Sequence, residues 1–292
     1  MIVKGQNLST LKNIDSSFIA VPSEKWALKT ITECSQATIE TDGFFKDNSF
    51  HSELSAKPKL KEGVFVSYKR LSAGFAVDLF GKEKDAVTFS VNSYGNRFSI
   101  ESGYISENSF SGFSESGLGP SSVSSGSVRH RSLNLDVCYF LNFRQFSFPA
   151  VFNQSKLQKQ SAGSWIVAAS YKWSKTIANQ AADESSIRGH SVGIGGGYGY
   201  NWVTGRWLIH FSLIPTLVVY DNSAFEANGE KEDVRCRLTN MIATGNYAVI
   251  YNKGKFLIGI TITLHNCTLG NPDHIRTEYL RMRGNVVVGV RL

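Results

Sequence analysis

The sequence predicts an all-β protein, a transmembrane antiparallel β-barrel of about twelve strands. The first observation is alternation in residues 255–264, KFLIGITITL, where every second side chain is bulky and apolar. A period of two is typical of a β-strand. The bulky side chains share one face: Phe256, Ile258, Ile260, Ile262 and Leu264. The second observation is composition, because 26 Gly, 12% aromatic residues and only 6 Pro suit long strands joined by tight turns.

The third observation concerns the direction of the apolar face, which we expect to contact lipid. In residues 165–173 the apolar face begins at Trp165 and ends at Trp173. Aromatic residues at both ends of such a face are typical of the two interfacial girdles of a membrane barrel. In a soluble sandwich the same face would instead point into a core.

The strands follow in order, each justified by alternation and bounded by Gly, Asn, Asp or Ser turns. They are expected at 26–33, 63–71, 73–80, 86–94, 97–106, 129–143, 165–173, 188–200, 206–220, 234–251, 255–264 and 276–292. Long polar loops are expected at 35–60, 107–127, 174–187 and 220–233. Long loops outside the cell and short periplasmic turns are typical of these barrels, which predicts that both termini are periplasmic. Residues 1–23 are a lead-in, with a signal-peptide remnant expected at 1–6, and residues 24–292 form the barrel.

Charge and hydropathy narrow the class of protein. The formal charge is +7, but no compact Lys/Arg helix or nucleic-acid recognition motif accompanies it, so we expect no nucleic-acid partner. Lipid and anionic lipopolysaccharide are the expected surroundings. No run reaches the roughly 18 apolar residues of a transmembrane helix.

The four cysteines show no CxxC pair and no zinc spacing, so no metal site is predicted. Cys34, Cys236 and Cys267 fall near the expected outer strand ends. A disulfide between two of them and free buried thiols are both open alternatives. Cys138 lies within the strand at 129–143.

A set of polar residues falls on the faces predicted to line the lumen. We expect both signs of charge to pair there, with Arg–carboxylate contacts in a narrow interior. The predicted lumen network is Asp78, Arg97, Glu101, His130, Asp136, Arg206, His210, His265, Arg281 and Arg291.

Two patterns resemble catalytic or cofactor motifs without matching them. The run GIGGGYG at 193–199 lacks the following helix of a dinucleotide loop, and it predicts a strand with room for an opposing bulky group or plug. His130, Ser132 and Asn134 share one face, but that face is predicted to point into the lumen and away from lipid substrate. We therefore expect no enzyme activity and no cofactor.

The connection at 144–160 is long where only a short turn is needed, and it is rich in apolar residues. Three alternatives remain open for it: a periplasmic segment that binds a partner protein, a lumen plug and a packed turn. The residues concerned are Phe146, Phe148, Pro149 and Phe152.

Three stretches carry a resemblance to a known family. They are VSYKRLSAGFAVDLFG at 66–81, SYGNRFSIESGY at 93–104 and FSFPAVFNQSKLQKQSAGSWIVAASY at 146–171. The chain resembles a family of outer-membrane β-barrels from Bacteroidota, catalogued as a domain of unknown function. The turn at Lys69–Leu71 departs from it, since a more Gly-rich turn is expected there. The resemblance implies an outer-membrane barrel and supplies no reaction or catalytic residue.

The sequence thus favours a non-enzymatic outer-membrane barrel, a structural or accessory subunit of an envelope complex with other envelope proteins as partners. A narrow channel for small solutes is the alternative. A barrel hydrolase is a weaker third hypothesis.

Overall fold

The fold was analysed in a computed structural model, which describes residues 14–45, 48–79, 87–116, 119–180, 183–227, 230–234, 240–271 and 275–292. Among the described residues, fourteen strands form one antiparallel sheet. Two of them, β3 (Asn48–Ala56) and β13 (Glu230–Val234), extend its wall, and the remaining twelve close a ring. The ring strands are β2 (Trp26–Phe45), β4 (Lys59–Tyr68), β5 (Leu71–Asp78), β6 (Val87–Tyr94), β7 (Phe98–Ser116), β8 (Gly119–Phe140), β10 (Ala162–Gln180), β11 (Asp183–Thr204), β12 (Trp207–Ala227), β14 (Met241–Lys253), β15 (Phe256–Gly270) and β16 (Ile275–Arg291). The predicted twelve-strand barrel is confirmed.

The short elements lie at the two ends of the ring. At one end, β3 (Asn48–Ala56) pairs with β2 and β7, and β13 (Glu230–Val234) pairs with β12. At the end with the tight turns, β1 (Ile19–Ala20) pairs with β9 (Leu157–Gln158), and α1 spans Pro149–Phe152. We call these the outer end and the turn end.

The predicted alternation sets the orientation of the side chains. Ile258, Ile260 and Phe211 are 52%, 54% and 45% exposed on the outer face. Leu257 and Gly259, their neighbours in β15, are buried inside the ring. The bulky side chains therefore point away from the interior, as predicted.

Aromatic pairs border this apolar belt at the turn end. The ring centroids of Trp26 and Tyr68 lie 4.6 Å apart, and those of Trp207 and Tyr251 lie 4.9 Å apart. Amphipathic rings at one height around a barrel are typical of a membrane–water interface.

The long loops predicted at the outer end were wrong. β2 continues to Phe45, β7 to Ser116, and β8 and β11 are 22 residues long, so hairpins replace most of the predicted loop residues. About 9–11 residues suffice for a strand to cross a bilayer. The extra length lies towards the outer end, where the outward faces of the strands are mostly polar and Ser/Gly-rich sequence resembles a loop.

The turn between β4 and β5 includes Lys69–Leu71, where the sequence departs from the more Gly-rich turn expected of the family. Lys69 adopts a positive φ of 52°, a conformation that Gly enters without steric cost. A lysine occupies the left-handed position of a tight turn here.

Candidate functional site: the closed lumen

The segment 144–160 folds back into the turn end of the ring, and we call it the plug. Phe146 is fully buried and Phe148 is 2% exposed, while Pro149 is buried and Phe152 is partly buried. Phe148 lies 5.0 Å from Phe140 and 4.4 Å from Phe152 between ring centroids. Of the alternatives left open for this segment, the structure favours the lumen plug, because apolar side chains with this composition are stabilised by burial inside the barrel. Binding of a partner by these residues stays a prediction.

The glycine run on β11 makes room for the plug. A Cβ atom added to Gly199 would lie 3.1 Å from Cζ of Phe146 and 3.3 Å from Cδ1 of Ile166. Gly199 is buried inside the ring, and so is Gly193. Gly195 lies on the same face of β11. The predicted room for an opposing bulky group or plug is confirmed at this position.

Polar side chains of the wall hold the backbone of the plug. The amide of Asn201 donates to the carbonyl of Ser147 and to Oε1 of Gln158, both at 3.0 Å. His210 Nδ1 lies 2.7 Å from Oδ1 of Asn201, and donation from the ring fixes the amide in this orientation. The partnered polar groups of Asn201, Gln158 and His210 favour one arrangement of this part of the plug.

Two cations of the wall bind the C-terminal half of the plug. Arg291, 2% exposed, donates from Nη2 to Oε1 of Gln154 at 2.7 Å and to Oδ1 of Asn252 at 2.6 Å. Nζ of Lys29 donates to the carbonyl of Phe152. Arg291 thus pairs with amide oxygens, where the sequence predicted carboxylates.

A second apolar layer fills the lumen towards the outer end. Its members come from the strands around the ring and from β3, and Phe110 and Val128 are fully buried. The outer apolar layer comprises Ala37, Ile39, Leu54, Ala56, Phe110, Val123, Val128, Val218, Ile242, Cys267 and Tyr279. Because these side chains contact one another across the interior, the lumen is occluded at this level.

Between the plug and the outer apolar layer lies a polar cavity of about 200 Å³, which we call the chamber. Val151, Phe152 and Gln154 of the plug line one end, and Ile105 and Tyr279 line the other. The walls between carry the charges: Lys29, Glu33, Glu101, Asp136, His265, Arg281 and Arg283.

One ion-pair network crosses the wall beside the chamber. Oε1 of Glu33 lies 3.4 Å from Nη2 of Arg281 and 3.6 Å from Nζ of Lys61, and all three side chains are at most 5% exposed. Removing one partner of such a buried cluster leaves an uncompensated charge. The Arg–carboxylate contact predicted for the lumen is present at Arg281.

The structure separates the predicted lumen residues into three groups. Glu101, His130, Asp136, His210, His265, Arg281 and Arg291 lie inside the ring. Asp78 is half-buried opposite Lys61 in the β4–β5 register. For Arg97 and Arg206 the lumen prediction was wrong, because both lie exposed beside tight turns, Arg97 over the ring of Phe143 and Arg206 bonded to Tyr251.

Sequence reasoning missed several interior charges. Lys29, Glu33 and Lys61 are at most 7% exposed, and Lys172 is 3% exposed with Nζ 4.4 Å from the ring of Tyr279. The sequence pattern could have revealed two of them. Lys29 and Glu33 alternate with the residues of the apolar face that begins at Trp26, so they lie on the opposite face of the strand.

The histidine and serine considered for hydrolysis lie buried in the interior. His130 Nδ1 bonds to Oγ1 of Thr176 at 2.9 Å, and Ser132 is fully buried. Within the described residues, Oγ of Ser132 has no hydrogen-bond partner, so no base is positioned to activate it.

The described cysteines do not form a disulfide. Cys34 is exposed on the outer face, whereas Cys138 and Cys267 are buried free thiols. Opposite faces of the wall separate Cys34 from Cys267, and Cys236 lies outside the described residues.

Potential metal ligands occur outside the lumen. Glu40, Asp42 and His51, on the hairpin of β2 and β3, bring one ligand atom each within 4.8 Å of one another. Such exposed groups are common in proteins without an ion, and the buried charges of the chamber are the more distinctive feature.

A closed antiparallel ring with an apolar belt outside and charges inside defines a transmembrane β-barrel of the outer-membrane type. In the part of the chain that the structure describes, no helix has the length and hydropathy of a membrane span. The chain belongs to the family described as Domain of unknown function (DUF4421), which matches residues 13–292. Membership of a domain family of unknown function is thereby confirmed, and an origin in Bacteroidota stays a prediction.

The similarities to known proteins are distant in sequence. No curated protein matches the chain significantly. Among solved structures, the outer membrane protease OmpT from Escherichia coli covers 92% of this chain and 98% of its own, at 5% identity and a TM-score of 0.47. The toluene transporter TodX from Pseudomonas putida covers 93% and 91%, at 9% identity and a TM-score of 0.34. An outer membrane channel from Pseudomonas putida F1 covers 94% and 98%, at 10% identity and a TM-score of 0.36.

Proposed function

We propose that this protein is a non-enzymatic outer-membrane barrel with a lumen closed at rest, and that it serves as a structural or accessory subunit of an envelope complex. The observation that carries the proposal is the filled interior, with the plug at the turn end and the outer apolar layer towards the other. A barrel whose lumen is closed at two levels is poorly suited to free diffusion of solutes. The turn end faces the periplasm in this proposal, because short turns lie there in such barrels.

The outer end supports a role in protein contact. β8, β11 and β12 are 21–22 residues long, about twice what a bilayer crossing requires. The paired strands beyond the lipid form a stiff wall that would present a fixed surface to other envelope proteins. Lipid and lipopolysaccharide surround the belt beneath it in this proposal.

Purification from native membranes tests the subunit role. A tagged copy expressed at its native level is extracted in mild detergent, with and without prior cross-linking. We expect one companion protein at fixed stoichiometry in both samples. Recovery of the barrel alone in both samples would contradict the subunit role.

A narrow channel is the second candidate, and the charged chamber favours it. Charged walls stabilise a polar solute or its water inside a low-dielectric interior. Conduction would require the plug to move. Planar-bilayer recording of the unaltered protein separates the two roles. The resting barrel proposed here should conduct no ions, whereas a channel should show unitary openings without any mutation in the plug.

A hydrolase is the third and weakest reading. It would require lipid hydrolysis by the purified barrel that disappears when His130 is replaced by Ala. The burial of His130 and Ser132 speaks against it.

A further inference from the structure

We propose that the chamber binds one small zwitterionic solute that carries an ammonium group and a carboxylate. This inference concerns the chamber alone and does not depend on an envelope partner. It rests on the distribution of charge over the two facing walls, on polar atoms without protein partners, and on the size of the cavity.

The two walls of the chamber have opposite chemistry. β16 and β8 lie on opposite sides of the twelve-strand ring, six strands apart in the hydrogen-bonded order. Arg281 and Arg283 line the chamber from β16, and Glu101 and Asp136 line it from β7 and β8. A solute between these walls has cations on one side, of which Arg281 also pairs with Glu33, and two carboxylates on the other.

The carboxylates on β7 and β8 need a positive group. Glu101 and Asp136 are directly opposite each other in the register, and like charges in that position are destabilising. No cationic side chain of the described residues lies within 4.0 Å of either carboxylate. The ion pairs inside the described part of the ring are those that Glu33 makes with Lys61 and Arg281. An ammonium group would relieve this repulsion.

The opposite wall offers donors. Nε of Arg281 and the hydroxyl of Tyr279 are buried without a protein partner, and both side chains are only 5% exposed. Nε2 of His265, which pairs with Arg281 across β15 and β16, is also unpartnered within the described residues. Buried polar atoms of this kind are destabilising unless water or a ligand meets them.

The size of the chamber limits the solute. A cavity of about 200 Å³ is smaller than the roughly 300–1,000 Å³ of sites for drug-sized ligands. A pure anion would be opposed by Glu101 and Asp136, and a pure cation by Arg281 and Arg283. The arrangement therefore selects a compact molecule with both charges, such as an α-amino acid.

Binding of L-alanine and its two single-charge analogues tests the proposal. The full chain is refolded in detergent with radiolabelled L-alanine, propionate or ethylammonium, so that the plug closes over the solute, and retained label is measured after gel filtration. We expect about one alanine per chain and at least tenfold less of either analogue. No retention of alanine, or equal retention of all three compounds, would overturn the proposal.

Charge-neutralising variants of similar shape locate the site. Glu101→Gln should lower alanine retention at least tenfold and raise propionate retention, because one of the two carboxylates that oppose an anion is removed. Arg283→Gln should lower alanine retention equally and raise ethylammonium retention, because one of the two guanidinium groups that oppose a cation is removed. The matched controls Glu53→Gln and Arg97→Gln change exposed residues and should retain alanine fully.

The comparison of the three compounds on the unaltered chain stands even where a variant does not fold. Folding is checked by the heat-dependent mobility of the barrel on gels. Alanine retention that survives Glu101→Gln and Arg283→Gln in folded barrels would also overturn the proposal.

Discussion

The most quantitative prediction concerns the effect of Phe148→Ala on the plug. The ring of Phe148 is 2% exposed and packs between Phe140 and Phe152 at centroid distances of 5.0 and 4.4 Å. Truncating a packed Phe to Ala costs about 3–5 kcal/mol, because the cavity left behind closes only in part. At 1.4 kcal/mol per factor of ten, the plug should leave the lumen about 10²–10³ times more often.

Trypsin cleavage after Lys156 measures this opening. Lys156 lies in the plug and is only 4% exposed, so cleavage requires the plug to open. When opening and closing are fast, the cleavage rate follows the open population. We expect cleavage of Phe148→Ala in folded barrels to be about 10²–10³ times faster than in the unaltered protein.

The matched control is Phe98→Ala on the outer face. Phe98 is 53% exposed, and lipid or detergent fills the space that its ring leaves. Cleavage after Lys156 should change less than threefold in this control. A change of less than tenfold in Phe148→Ala, with the barrel folded, would refute the packing argument for the plug.

Two further predictions concern β11 and the outer end. Gly199→Leu should displace the plug and raise bilayer conductance, because a Cβ there already lies 3.1 Å from Phe146; Gly103→Leu, whose Cβ meets only a backbone oxygen at 3.9 Å, should stay closed. At the outer end, Nδ1 of His51 lies 2.5 Å from Oδ1 of Asp42, and this hydrogen bond raises the pKa of His51 above its ordinary 6.5. The pair should therefore stabilise the fold fully below pH 6.5 and lose that contribution as the pH rises through the raised pKa. NMR titration should show that Asp42→Asn lowers the pKa of His51, and an unchanged titration would contradict the contact.

The membrane part of the fold could be predicted from local sequence. A period of two assigns each residue of a strand to one face of the sheet. A shift of one residue would move every side chain to the other face, so the pattern around Ile258 determines which side chains point outward. The outer extensions escaped prediction because both sides of a strand beyond the lipid tolerate Ser, Thr and Gly. Residues 107–127 therefore resemble a loop in composition although most of them pair.

The site was only partly predictable. Phe146 and Phe148 suit a partner surface and a lumen plug equally well, because burial stabilises them in either place. The choice depends on Gly199, more than forty positions further along the chain, which leaves space opposite the plug. Arg97 was misplaced because the turn after Tyr94 ends one residue later than predicted, so that β7 begins at Phe98.

The central claim is that the apolar outer face contacts acyl chains, and the native tryptophans test it most directly. All five lie on the outer side of the wall: Trp26, Trp165, Trp173, Trp202 and Trp207. The measurement is quenching of their fluorescence by phospholipids brominated on the acyl chains. We expect strong quenching, greater for bromines near the headgroups than near the bilayer centre, because the aromatic pairs at the turn end mark an interface. Fluorescence that brominated lipids leave unchanged, while water-soluble acrylamide quenches it, would contradict the account.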